Sequence, residues 1–297
     1  MSSDISLDDL RREIDAIDDN MHDLIMRRTK VVEQVREAKR GQPVKIRPAR
    51  ECQILYRLIE RHKGPFPKRE LGRIWRELIV ATLSFEGPFS VAVHMPAEPE
   101  PGEPAPERRS GRWNMARDQY GSFTTMAAYQ SASRLVDSVR SHEHTVGILG
   151  LPERKEDKPW WIHLASQNEN TPRVITRLPF IGAAEDRHPS DEALVICSVM
   201  PEPTGRDNTY LVVETADEVG LEKISTALKQ AEMESLFLSL WADPERPSRY
   251  LHLAEVTGFI ADNDPKMLRL GESLDGAATS IMSIGSYGQP LSLEDLK

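Results

Sequence analysis

An arginine interrupts an otherwise apolar helical seam near the N-terminus. Leu7, Leu10, Ile14, Ile17, Met21, Leu24, Val31, Val35 and Ala38 recur at alternating steps of three and four, and the position between Leu24 and Val31 is Arg28. A guanidinium cannot shed its proton, and taking it out of water with no anion beside it is costly. No carboxylate stands at the neighbouring seam positions. Two readings follow: Arg28 reaches solvent or an acid on another helix, or it receives the carboxylate of a ligand.

Other charged residues could share that ligand. Lys39 lies almost three turns after Arg28, so it projects from the same face about 16 Å away at roughly 1.5 Å per residue. Arg11 precedes Arg28 by about 25 Å of helix and is rotated off that face. It joins the same small ligand only from a second chain lying antiparallel to the first, which makes the site a composite of two subunits. Pro48 suits the first turn of a second helix, with Arg50 and Glu51 beside it and Ile54, Leu55, Leu58 and Ile59 as its apolar stripe up to the Lys63-Gly64-Pro65 break. A third helix is expected from Lys68 to Glu86, with Leu71, Ile74, Trp75, Leu78 and Ile79 inward and Thr82 and Glu86 continuing that face. The alternative for Glu86 is a helix end emerging into water.

The first 87 residues resemble the all-helical chorismate mutase family. The matching stretches are Leu10-Arg11-Arg12-Glu13-Ile14-Asp15-Ala16-Ile17-Asp18, Arg27-Arg28, Glu37-Ala38-Lys39, Arg50-Glu51 and Thr82 through Glu86. The resemblance implies an intertwined helical dimer that converts chorismate to prephenate with no cofactor and no metal. By position, Arg28 and a partner-chain Arg11 would bind the two carboxylates. Lys39 would contact a carboxylate and the ether oxygen, Glu51 the ring hydroxyl, and Glu86 the ether oxygen from the other side, with Arg50 and Thr82 lining the pocket. Arg47 stands where an aspartate is frequent and is left out of the set; Glu86 stands where many members have glutamine.

The implied reaction is concerted, with no nucleophile, proton transfer or redox step. An enzyme can only hold the dianion in its compact conformation and stabilise the charge growing on the ether oxygen. Lys39 donates as it stands, whereas an ionised Glu86 would repel that charge. Glu86 is therefore expected to work protonated, its pKa raised by burial, so that activity falls as pH rises past that pKa.

The chain has 297 residues, 39% of them hydrophobic, enough for two or three domains with real cores. A formal charge of -9 argues against a nucleic-acid partner. Two cysteines, Cys52 and Cys197, suggest a reducing compartment. With no apolar run long enough to span a membrane and no signal-like N-terminus, a cytoplasmic protein is expected.

Beyond a strand at Phe89 to Val93, residues 95–112 are rich in Pro and Glu and read as a linker. A helix around Thr125 to Arg140, a strand at Thr145 to Leu149, an apolar run from Arg173 to Ile181 and strands at Asp191 to Val199 and Thr209 to Thr215 follow. The tail continues with a helix from Leu221 to Met233, strands near Leu236 to Trp241 and Leu251 to Val256, a helix at Pro265 to Ser273 and a strand near Thr279 to Ser286. That β-α-β-β-α-β order predicts a ferredoxin-like α+β unit.

This part resembles the dehydratase and ACT regulatory portions of bifunctional mutase-prephenate dehydratases, through Gly121-Ser122-Phe123, Thr145 to Leu149, Gly205-Arg206-Asp207-Asn208-Thr209, Val219-Gly220-Leu221 and Gly285-Ser286-Tyr287. The expected division is a mutase domain at 1–87, a degenerate dehydratase-like α/β region at 88–203 and an ACT-like domain at 204–297. The family's Thr-Arg-Phe triplet should fall near Asp191-Glu192-Ala193, which lacks it, so no dehydratase activity is expected. Its phenylalanine-binding element has no copy at Leu238-Ser239-Leu240-Trp241, which argues against feedback by that amino acid. Two other functions stay open: a lyase of the same fold that splits pyruvate from isochorismate, and a non-catalytic partner of an aromatic-pathway enzyme.

Overall fold

The seam becomes one helix, α1 (Leu7–Ala38), of 32 residues and about 48 Å. None of its residues is buried, and Leu7, Leu10, Ile14, Ile17, Met21, Leu24, Val31 and Val35 are all exposed. The computed structural model describes residues 6–38, 46–83, 88–95, 108–182 and 192–297. Lys39 and Glu86 fall outside them.

Pro48 opens α2 (Pro48–Arg61), which ends where His62 turns extended; α3 (Lys68–Leu83) follows. These two helices lean on the rest of the chain. Cys52, Leu55 and Ile59 share a core with Phe180 and Leu291, and the Tyr56 hydroxyl donates to the Gln289 carbonyl. The buried face of α3 differs from the expected one: Gly72, Arg76, Ile79, Thr82 and Leu83 are buried, while Ile74 is exposed. The helix is rotated because its contacts lie with α2 and with α4 (Arg108–Tyr120).

Among the described residues, nine strands form one sheet in the order β2-β1-β3-β5-β4-β9-β6-β8-β7. They are β1 (Ser90–His94), β2 (Thr125–Tyr129), β3 (Val146–Gly150), β4 (Arg173–Leu178), β5 (Ala193–Cys197), β6 (Asp207–Thr215), β7 (Ser235–Ala242), β8 (Tyr250–Thr257) and β9 (Ala278–Gly288). The first three are parallel and are linked through α4 (Arg108–Tyr120) and α5 (Ala132–Arg140). The expected helix over Thr125 to Arg140 is thus corrected. Its first part is edge strand β2, and Ser131 caps α5 by accepting from the Arg134 amide at 3.4 Å. Helix α4 also begins inside the expected linker, at Arg108.

The last four strands are antiparallel, with α6 (Leu221–Gln230) and α7 (Pro265–Ser273) completing the β-α-β-β-α-β unit. One face buries Leu211, Val213, Ala254 and Val256 beneath Ile224, Leu228 and Leu270. The other face joins Tyr210, Val212, Leu253 and Ile284 to Leu135, Val136 and Trp161 in one core that runs into the α/β region.

The two halves of the sheet meet where β4 lies parallel to β9 with an irregular register, Val174 opposite Gly285 and Thr176 opposite Gly288. Near this seam Arg177 pairs with Glu192 at 3.0 Å and Glu255 at 3.3 Å, and the Tyr210 hydroxyl donates to Glu255 at 3.1 Å. Gly285 has φ +141°, and a Cβ there would stand 2.2 Å from the Val174 nitrogen. Gly285→Ala should therefore destabilise the protein by at least about 2 kcal/mol. An unchanged midpoint in chemical unfolding would mean that the two strands do not approach so closely.

Candidate active site

Arg28 faces α3, where its Nη1 donates to the Leu78 carbonyl at 3.1 Å. Thr82, one turn further along α3, donates to the Ile79 carbonyl at 2.8 Å and lies 3.3 Å from the same Leu78 oxygen. Both expected residues thus meet at one backbone carbonyl. No carboxylate pairs with Arg28 among the described residues. Burial lowers its pKa, yet a guanidinium remains charged. One neutral acceptor for five N–H donors leaves most of its capacity open to an anion.

The other expected residues are placed differently. Arg11 is exposed, and among the described residues its side chain bonds Asp8, at 3.2 Å on its own helix. Because α1 is unbroken, Arg11 and Arg28 stay about 25 Å apart within one protomer. Arg50 is exposed in the first turn of α2. Glu51 lies deeper, and its Oε2 accepts from Arg76 Nη1 at 2.6 Å. Arg47 pairs with Glu202 at 2.8 Å.

Sequence reasoning missed Arg76. It is 4% exposed, donates from Nε to the Gln119 carbonyl at 2.7 Å, and lies 5.6 Å from the centre of the Tyr120 ring. Burial would lower its pKa, but Glu51 and Tyr120 outweigh that and hold it above the ordinary value. The signal was available: Gly72, Arg76, Ile79 and Leu83 follow steps of four, three and four, the pattern that singled out Arg28 on α1.

Two cavities adjoin this region. One of about 540 Å³ lies between α3, α4 and Leu178–Gly182 and has Arg76 in its wall. Another of about 350 Å³ is bounded by Arg47, Glu202, Ser286 and Tyr287. Neither includes Arg28. Among the described residues no group of three His, Cys, Asp or Glu could hold a metal ion. The half-buried Arg28 guanidinium keeps donors that an anion could accept from.

Residues 10–87 match the family model for chorismate mutase type II. The chain is 34% identical over 98 residues to a bifunctional chorismate mutase/prephenate dehydratase of Stutzerimonas stutzeri, covering 31% of this chain and 27% of that protein. It therefore matches about a quarter of that relative's length. A solved prephenate dehydratase of Streptococcus mutans is 10% identical, with a TM-score of 0.45 over 68% of this chain and 98% of the other. A quorum-quenching acylase, GqqA, is 16% identical, with a TM-score of 0.47 over 69% and 97%. At these scores the fold rests on the strand order itself.

The two arginines should respond differently when their surroundings are cut back. Glu51→Ala strands the buried Arg76 cation and should cost about 3–5 kcal/mol in chemical unfolding, whereas Arg28→Ala should cost less than about 1 kcal/mol. Equal costs would show that Arg28 is a structural cation like Arg76.

Proposed function

We propose that this chain is a chorismate mutase, rearranging chorismate to prephenate without a cofactor. The observation that carries the reading is the half-buried Arg28, which no carboxylate of the described chain neutralises, inside the 10–87 segment that matches the mutase family. Its guanidinium takes one substrate carboxylate through charge-assisted bonds. Thr82 lies beside it, and Glu51 keeps Oε1 free of protein partners among the described residues for the ring hydroxyl. Lys39 and Glu86 complete the clamp around the ether oxygen.

The same reading includes a homodimer. An exposed apolar seam along all of α1 needs cover, and an antiparallel second α1 both covers it and carries Arg11 of the partner subunit to the second carboxylate. The reaction then needs only positioning and charge stabilisation, which preorganised donors supply at a few kcal/mol each.

The C-terminal region is proposed to lack dehydratase activity. Glu192, in the stretch where the triplet would stand, is engaged with Arg177, and Ala193 lies in β5 with no group to assist loss of hydroxide. A soluble location fits a chain in which no described helix is long and apolar enough to cross a membrane.

Turnover with chorismate is the decisive measurement. Arg28→Ala should lower kcat/KM at least about tenfold, equivalent to roughly 1.5–3 kcal/mol. Inactivity of the wild type on chorismate, with pyruvate released from isochorismate, would favour the lyase, and decarboxylation of prephenate would overturn the proposed loss of dehydratase activity. Sedimentation at equilibrium should give a dimer.

The pH profile tests Glu86 separately. A Glu86 that works as a protonated donor loses its active form as pH rises through its pKa, so activity then declines on the alkaline side. Glu86→Gln should flatten that decline, and an unaltered profile would show that Glu86 does not act as a protonated donor.

A further inference from the structure

We infer that Arg76 is a positioning residue for Glu51, so that the end of α4, outside the helical segment, sets the geometry of the substrate site. The inference rests on the mutase reading and extends it to α4, which lies beyond the 10–87 segment that matches the mutase family model.

Three features of α4 fix the Arg76 side chain. Gln119 is the next-to-last residue of that helix, and its carbonyl, one of those left without an intrahelical donor, accepts from Arg76 Nε at 2.7 Å. The negative end of the α4 dipole favours a cation at that place. The Tyr120 ring presents its face to the guanidinium carbon at 5.6 Å. With that side chain 5% exposed, the guanidinium has little freedom.

Its remaining bonded arm determines where Glu51 points. Arg76 Nη1 holds Glu51 Oε2 at 2.6 Å, and Oε1 has no protein partner among the described residues. One oxygen is anchored and the other is free, so the carboxylate is ordered before a ligand arrives and the rotamer entropy of a glutamate is not lost at binding. A carboxylate Oε1 is an acceptor, the role that a ring hydroxyl requires. Arg76 itself touches no substrate atom in this arrangement. Its Nη2, buried and without a hydrogen-bond partner, marks a cation placed for two specific contacts rather than for full satisfaction.

A double-mutant cycle in the full-length protein, read as kcat/KM for chorismate, separates positioning from general support. Arg76→Gln and Glu51→Gln should each lower kcat/KM at least about tenfold, and the double variant should fall no more than about threefold below Glu51→Gln alone, because Arg76 acts through Glu51. Losses that multiply, to about a hundredfold or more, would overturn the inference, as would an Arg76→Gln protein with wild-type kinetics. Should Arg76→Gln lose its cooperative unfolding transition, Arg76→Lys replaces it in the same cycle with the same coupling expected, since an ammonium cannot bridge Gln119 and Glu51 as the planar fork does. A wild-type chain that leaves chorismate unchanged would sink the mutase reading and this role together. Turnover by the wild type with a multiplicative cycle would sink this role alone.

Discussion

A guanidinium keeps its charge in any environment a protein can make, so each arginine drawn into the interior must be matched by an acceptor. Two arginines of this chain meet that demand in opposite ways. Arg76 is matched within the chain, by the Glu51 carboxylate, a helix-end carbonyl and an aromatic face. Arg28 has one neutral carbonyl. The first arrangement is an ion pair made within the chain, and the second leaves a cation that no carboxylate of the described residues neutralises. The functional reading depends on that asymmetry.

The sheet gives the asymmetry its setting. Helix α2 buries its inner face against Phe180 and Leu291, and α3 reaches the end of α4 through Arg76. Both helices are therefore referenced to the nine-stranded sheet, whose halves are held in register by the close approach of Gly285 to Val174. Helix α1 has no such support. Its apolar residues lie open, and the Leu78 carbonyl is its side-chain hydrogen-bond tie to α3 among the described residues.

What could be read from the sequence follows the strength of each local signal. Helix α7 was legible to the residue because Asp264 caps it and Pro265 occupies its first turn, both local devices. The β-α-β-β-α-β order was legible because β6 and β8 are rich in branched and aromatic residues and two amphipathic helices separate the strands. Strand β2 was not: Thr125-Met-Ala-Ala-Tyr129 does not alternate, alanine favours helix, and only parallel pairing with β1 draws it extended. Helix α4 was hidden by its own charge, with apolar contact confined to residues such as Met115, Ala116 and Tyr120. In the candidate site, Arg28 stood out because its seam is long, whereas the shorter stripe of α3 concealed Arg76. No sequence pattern could show that Glu51 already has a partner, since that partner is fixed by Gln119, more than forty positions after Arg76.

On the mutase reading, the bond from Arg28 to Leu78 is more than a tether. A substrate carboxylate arriving at Arg28 finds most of its donors open and only one neutral carbonyl to compete with, and the charge-assisted bond is the stronger of the two. Binding is thus favoured without first breaking an ion pair, which would have held the guanidinium far more firmly. The carbonyl keeps the cation oriented toward α3, and toward Thr82, while the site is empty, at little cost to its later exchange of partners. An acid at Leu78's place in space would have made α1 more stable on α3 and the pocket less able to accept a dianion. The weak neutral acceptor is what allows one residue to serve both helix docking and ligand capture.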